Sequence, residues 1–191
     1  MIFIPTCIPS KEMVVLINQI VNRDDNLKND IIIVNDHVED IDNNKYFNEL
    51  KKLNIKIIEN TYPRGKGSAI KSALNYCLEN NARYALFADS DGQHDFEDVI
   101  NIRKIGESTK KFVIGSRNFE SDVPMRNKLG NKLSSFIFYF VTGIRLRDTQ
   151  CGLRYIPNRF FKMLVNINLQ NFDFEMFSLF KIISLEKIKI I

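Results

Sequence analysis

Apolar residues in the first half of the chain come in short runs, and the stretches between those runs carry a helical period. The runs are "MIFI" at the start, "DIIIVND" at 30–36, "NIKIIEN" at 54–60, "YALFAD" at 84–89 and "KFVIGS" at 111–116. Their centres are apolar at successive positions, as strands covered on both faces require. Between them, helices are predicted from 11 to about 21, over 44–53, over 67–80 and from 96 to about 108. In the third of these, Ala69, Ile70, Ala73, Leu74, Cys77 and Leu78 recur at helical spacing. Strands alternating with helices predict an α/β fold, Rossmann-like, with a mainly parallel sheet and helices on both faces. In such open sheets ligands collect at the carboxyl ends of the strands. Polar residues stand at these ends: Pro5 and Thr6 after the first, Asp36 after the second, Asp89 and Asp91 after the fourth, Ser116 and Arg117 after the fifth.

After Arg117 the pattern changes. "VPMRNKLGNKLSSFIFYFVTG" begins amphipathic and ends almost wholly apolar, with an aromatic stretch at 136–140 that suits either a core or a membrane surface. "DTQCGLRYIP" reads as a polar loop. Helices are predicted near 157–165 and 174–183, and the final "KIKII" reads as a strand.

Composition narrows the class. With 191 residues, 45% of them hydrophobic, the chain suffices for one domain with a real core. No linker or repeat divides it, so a single catalytic domain over 1–191 is expected. Lys and Arg total 27 against 23 for Asp and Glu, a net charge of +4. This mild excess lacks the dense basic cluster of a nucleic-acid binder, so no nucleic-acid partner is expected. Cys7, Cys77 and Cys151 are odd in number and unpaired in spacing, which fits a reducing, cytoplasmic compartment. No signal-peptide pattern opens the chain, and no apolar run is long enough for a transmembrane helix.

Asp89 and Asp91 carry the strongest chemical signal. Two carboxylates one residue apart at a strand end suit a hard divalent cation, Mg²⁺ or Mn²⁺, which takes oxygen ligands and shares them with substrate phosphates. Asp95, Glu97 and Asp98, just beyond, suit the first turn of a helix instead. Asp36 can accept from ribose hydroxyls or a ring N–H, or simply form a turn. "YPRGKGSA" is a Gly-rich turn opening a helix, without the spacing of a Walker A loop or a dinucleotide fingerprint. It leaves Lys66 to meet an anion, or marks an ordinary helix start. Arg117 has the planar fork that phosphate favours, and Arg126, Lys128 and Lys132 add surface charge. His37 and His94 are the only histidines, and no nucleophile elbow or triad pattern is present.

Together these stretches resemble the family 2 glycosyltransferases of GT-A fold, in the branch of dolichyl-phosphate mannose synthases and polyprenyl-phosphate glycosyltransferases. The matching segments are "IPT", "IIIVND", "GKGSAIKSAL", "ADSDGQHDFEDV", "VIGSRNF", "RNKLGNKLSSFIFYFVTG", "DTQCGLRYIP" and "FDFEMF", in order along nearly the whole chain. The resemblance implies a nucleotide-diphosphate sugar donor held by Pro5, Thr6, Asp36, Lys66, Asp89 and Arg117. Asp91, with Asp89, would hold the metal, and Asp91 would bridge it to the diphosphate. Asp148 would lie on the acceptor side as a base or positioning group, with Gln150 and Arg154 in the same loop. The implied reaction is inverting transfer to a polyprenyl (lipid) phosphate, with peripheral contact at the cytoplasmic face of a membrane. A saccharide hydroxyl in cell-surface polysaccharide synthesis is the alternative acceptor, and a non-catalytic nucleotide-sugar-binding relative the alternative role. A nucleotidyltransferase would need an N-terminal Gly-rich basic loop that "IPTCIPSKEM" lacks.

The sequence also departs from the family. Cys7 and Ile8 follow Thr6 where an aromatic and an amide are usual, and His37 and Val38 follow Asp36 where Gly and Ser are usual. Family members commonly continue past a strand like "EKIKII", so a C-terminal truncation is expected.

Overall fold

A computed structural model describes residues 1–36, 44–62, 65–117, 125–171 and 173–185. Among these residues, six strands and seven α-helices follow in chain order: β1 (Ile2–Thr6), α1 (Lys11–Arg23), β2 (Ile31–Asn35), α2 (Lys45–Lys52), β3 (Lys56–Glu59), α3 (Lys66–Glu79), β4 (Tyr84–Phe87), α4 (Phe96–Thr109), β5 (Val113–Ile114), α5 (Met125–Thr142), β6 (Arg154–Pro157), α6 (Phe161–Val165) and α7 (Asp173–Leu185). The alternation expected of the first half is present.

The strands form one sheet in the order β3-β2-β1-β4-β6-β5. β1, β2, β3 and β4 run parallel, whereas β6 is antiparallel to both β4 and β5. The strand order reverses between β1 and β4, the position where an open α/β sheet parts to leave a crevice. Because β6 runs backwards, its first residue, Arg154, lies beside Phe87 and Ile114 near the carboxyl ends of β4 and β5. The loop before β6 and the segment after β5 therefore meet at the ligand-binding edge.

Successive strand residues point to opposite faces, and each face has its own core. Ile2, Ile4, Ile31, Ile33, Leu86 and Tyr155 pack with α1, α2 and α4. Phe3, Ile32, Val34, Ala85, Phe87 and Ile156 pack with α3, α6 and α7. The ring of Phe3 stacks on that of Phe87 with centroids 5.6 Å apart.

Helix starts follow their capping residues. The Ser10 hydroxyl accepts from Met13 N at the head of α1, and the Asp95 carboxylate accepts from Asp98 N at the head of α4. These bonds satisfy amides that a helix leaves unpaired at its start. Asp95 therefore caps α4, and Glu97 and Asp98 lie in its first turn, where the helix dipole favours negative charge.

Three sequence readings need correction or limit. The second half of "DTQCGLRYIP" is strand β6, buried on both faces and ending at Pro157, where a missing N–H can be tolerated. The helix expected from 157 is a 3₁₀ turn over Asn158–Phe160 followed by a five-residue α6. The strand expected of "KIKII" lies outside the described residues, as do His37, Val38 and Arg64.

Candidate functional site

A cavity of about 980 Å³ opens at the carboxyl edge of the sheet. Its lining divides by element. Pro5, Thr6, Asp36, Lys66, Asp89 and Asp91 come from the ends of β1, β2 and β4 and the head of α3, and Arg117 from the segment after β5. Ile137 on α5, Leu169, and Met176, Phe177 and Phe180 on α7 supply apolar surface. One cavity thus combines a charged wall with a greasy one.

On the charged side, Asp36 is buried and joins two segments. It accepts from Asn60 Nδ2 at 2.6 Å and from the Gly65 amide at 3.0 Å. Gly65 has φ +139°, which an L-residue rarely adopts. This conformation opens α3 directly after the Asp36 contact and leads into Lys66. Thr6 is buried beside the cavity, and its Oγ1 has no hydrogen-bond partner among the described residues.

Lys66 Nζ lies 2.7 Å from Asp89 Oδ1 and 3.2 Å from Glu175 Oε1. Burial opposes the ammonium's charge, but the two carboxylates outweigh it and raise its pKa. For Asp89, burial acts to raise the pKa, but the neighbouring His94 imidazole and the Lys66 ammonium prevail and hold the carboxyl well below its usual range. His94 is itself buried, with Nε2 3.5 Å from Asp89 Oδ2. Gly152 completes the enclosure, since a Cβ there would overlap the Asp89 carboxylate.

Asp91 behaves differently. It is exposed, and its Oδ1 accepts from the Gln93 amide at 3.1 Å within the turn that leads to α4. Among the described residues no group of three or more His, Cys, Asp or Glu side chains is placed to hold a metal. The donor set therefore fits a hard cation only in the manner of Mg²⁺ or Mn²⁺ sites that take one or two carboxylates and complete their shell with phosphate oxygens and water. Asp91 is the open carboxylate; Asp89 is already engaged by Lys66.

Arg117 and Asp148 form a second ion pair at the same edge. Arg117 Nε is 2.6 Å from Asp148 Oδ2, and Nη2 is 3.0 Å from Oδ1, a two-pronged contact. Asp148 also accepts from the amides of Arg117 and Gln150, and its side chain is wholly buried. These bonds raise the Arg117 pKa, with the Asp148 hydrogen bonds first among the causes. Arg117 Nη1 reaches Gln93 Oε1 at 2.8 Å, linking this pair to the Asp91 turn. An Asp148 carboxylate filled by four donors is poorly placed to take a proton from an acceptor hydroxyl.

Of the remaining sequence-predicted residues, Gln150 lines the cavity and its Nε2 donates to Ser134 Oγ on α5 at 3.3 Å. Arg154 lies not in a loop but at the start of β6, 3% exposed and outside the lining of the large cavity. Lys132 is exposed, and the side chains of Arg126 and Lys128 lie outside the described residues. Sequence reasoning assigned no role to Glu175 or Gln93. The quoted "FDFEMF" contained Glu175, but only the fold shows its carboxylate against Lys66.

The strand order and the helical cover are those of an open α/β fold with its ligand edge at the strand carboxyl ends, and comparison with known proteins narrows the class. The family described as Glycosyl transferase family 2 matches residues 1–169. The chain belongs to that family. It is 33% identical over 113 residues to the UDP-N-acetylglucosamine–dolichyl-phosphate N-acetylglucosaminyltransferase of Methanococcus voltae, covering 56% of this chain and 45% of that one. It is 28% identical over 167 residues to a dolichyl-phosphate beta-glucosyltransferase of Trichomonas vaginalis, covering 80% and 50% respectively. The chain spans about half the length of these two curated relatives. Among solved structures, glucosyl-3-phosphoglycerate synthase from Mycobacterium tuberculosis, in complex with Mn²⁺, UDP and phosphoglyceric acid, superposes with a TM-score of 0.68 at 13% identity, covering 96% of this chain and 63% of that one. The shared fold is GT-A.

Proposed function

We propose that this chain is the catalytic domain of an inverting, metal-dependent glycosyltransferase that moves a sugar from a nucleotide-diphosphate donor to a polyprenyl phosphate. The observation that carries this reading is the division of the cavity between a charged wall and an apolar wall. A nucleotide sugar needs only the first. An acceptor with a phosphate head and a hydrocarbon tail uses both, and the dolichyl-phosphate relatives support the same substrate class.

In this reading Asp36 and Thr6 meet the nucleoside, and Lys66 and Arg117 face the phosphates. Asp91, assisted by Asp89, holds Mg²⁺ or Mn²⁺, which supplies Lewis-acid stabilisation of the diphosphate. Lys66 and Arg117 stabilise the charge that grows on the departing diphosphate, where preorganised cations act most strongly. A phosphate acceptor is ionised near neutral pH and attacks without a strong base. The closed Arg117–Asp148 pair therefore favours it over a saccharide hydroxyl. Asp148 then positions Arg117 and, through its neighbour Gln150, the acceptor side.

The outer face of α5 extends the apolar wall: Phe136, Phe140 and Val141 are 66%, 83% and 65% exposed, whereas Phe138 is buried in the core. Aromatic residues at this spacing suit the interface of a bilayer from which a lipid acceptor is drawn. No helix among the described residues is long and apolar enough to cross a membrane.

Calorimetry with UDP- and GDP-sugars, with and without Mn²⁺, tests the donor site, and transfer to a polyprenyl phosphate in detergent tests the acceptor. Asp91→Ala is expected to abolish the metal-dependent part of binding. Failure of the parent chain to bind any nucleotide would overturn the reading. Transfer to a saccharide hydroxyl, with none to lipid phosphate, would replace the acceptor. In vesicle co-sedimentation, Phe136→Ser with Phe140→Ser is expected to lower the bound fraction.

A further inference from the structure

Arg154 is an expensive residue to bury unless its donors are used. All of its donor nitrogens are engaged, and they reach two separate parts of the chain. Nε donates to Cys151 O at 2.8 Å and Nη2 to Thr149 O at 3.2 Å, fixing the loop that carries Asp148 and Gln150. Nη1 donates to Glu175 O at 2.9 Å and to Ser178 Oγ at 3.4 Å, fixing the first turns of α7. Arg154 Nη2 also lies 3.7 Å from Glu175 Oε1.

Glu175 is equally unusual. It is 5% exposed, and Oε1 faces two cations, Lys66 at 3.2 Å and Arg154 at 3.7 Å. Two carboxylates and two cations thus form a balanced chain, Asp89–Lys66–Glu175–Arg154, running from the end of β4 to the start of β6. An ammonium has three donors. Asp89 lies within donor reach, whereas the contact with Glu175 is one of charge, its Oε1 accepting no hydrogen bond, so the ammonium keeps a donor for an anion in the cavity that Lys66 lines.

We propose that Glu175 and Arg154 are positioning residues for Lys66: Arg154 fixes the head of α7, and Glu175 gives the ammonium a second anchor besides Asp89, so that its free donor stays aimed into the cavity. A lysine held by one carboxylate can swing with that group, whereas a lysine held by two is constrained. The inference rests on the donor reading only in naming a phosphate as the anion; the constraint on Lys66 belongs to the chain alone.

The test has two arms. In the first, carbon-13 relaxation at Lys66 Cε is measured without ligand. Glu175→Gln, which keeps shape and removes charge, is expected to make that methylene measurably more mobile, and Arg154→Lys, which cannot span the three carbonyls, to do so partly. Glu175→Asp should restore part of the order. Unchanged Lys66 mobility in folded Glu175→Gln would overturn the proposal.

The second arm is a double-mutant cycle on UDP and GDP binding and on transfer, using Lys66→Met and Glu175→Gln. If Glu175 acts through Lys66, its substitution lowers kcat about tenfold in the parent, more than it raises KM, as misplacement of a positioned group does. In the Lys66→Met background it should add almost nothing. Equal effects in both backgrounds would overturn the proposal. If the parent chain binds neither nucleotide, the donor reading falls, and the relaxation arm still decides the constraint on Lys66.

Discussion

Two ion pairs stand at the same edge of the sheet and solve opposite problems. In Arg117–Asp148 the guanidinium meets both carboxylate oxygens, two backbone amides complete the acid's shell, and Asp148 has no exposed side-chain surface. In Lys66–Asp89 the cation is a point charge shared with Glu175, and its side chain remains 21% exposed at the cavity. The fork of Arg saturates its partner; the ammonium of Lys can be divided. The first pair therefore clasps two segments of the chain with its carboxylate saturated, and the second leaves its cation open to the cavity.

Removing one member of the closed pair should produce the largest stability loss. Asp148→Ala leaves a partly buried guanidinium without its carboxylate and is expected to cost about 3–5 kcal/mol in urea unfolding. Gly152→Ala strikes the other pair by pressing a methyl group into the Asp89 carboxylate, and should cost about 1–3 kcal/mol while weakening nucleotide binding by calorimetry. Arg117→Lys keeps the charge but loses the two-pronged contact, an expected loss of about 1.5 kcal/mol by the same unfolding measurement.

The smallest effect concerns acid. The folded pKa of Asp89 lies below the value of about 3.9 of an unfolded Asp. Its pairing therefore stabilises the fold fully above about pH 4, and that stability is lost as the pH falls toward the folded value. Asp89→Asn should flatten the acid limb of stability against pH, read as urea midpoints at successive pH values. An unchanged limb would show that Asp89 is not the shared carboxylate described here.

These pairs also mark how far the sequence could be read. The parallel β–α units were legible because each strand is apolar at successive positions and each helix has its own period, both local properties. Asp36, Asp89, Asp91 and Arg117 were legible as polar residues at strand ends. β6 was not, since its four residues begin with Arg154 and end with Pro157, and its burial depends on neighbours distant in the chain. Nothing local in the sequence indicates that Asp148 is filled by a residue 31 positions earlier, or that Glu175 meets Lys66 from α7. The aromatic stretch at 136–140 carried a readable clue in its spacing: Phe136 and Phe140 share a helical face, and Phe138 lies away from it. Whether that exposed face meets lipid depends on a partner outside the chain.

The Arg117–Asp148 clasp has a further consequence for engineering. It joins the segment after β5 to the loop before β6, which flank α5 in the chain, at the ligand-binding edge of the sheet. Retaining Arg117 and Asp148 is therefore necessary but not sufficient for exchanging α5 between relatives: the incoming helix must also match Phe138 in the core and Asn131, whose side chain bonds the backbone of Arg147 and Thr149.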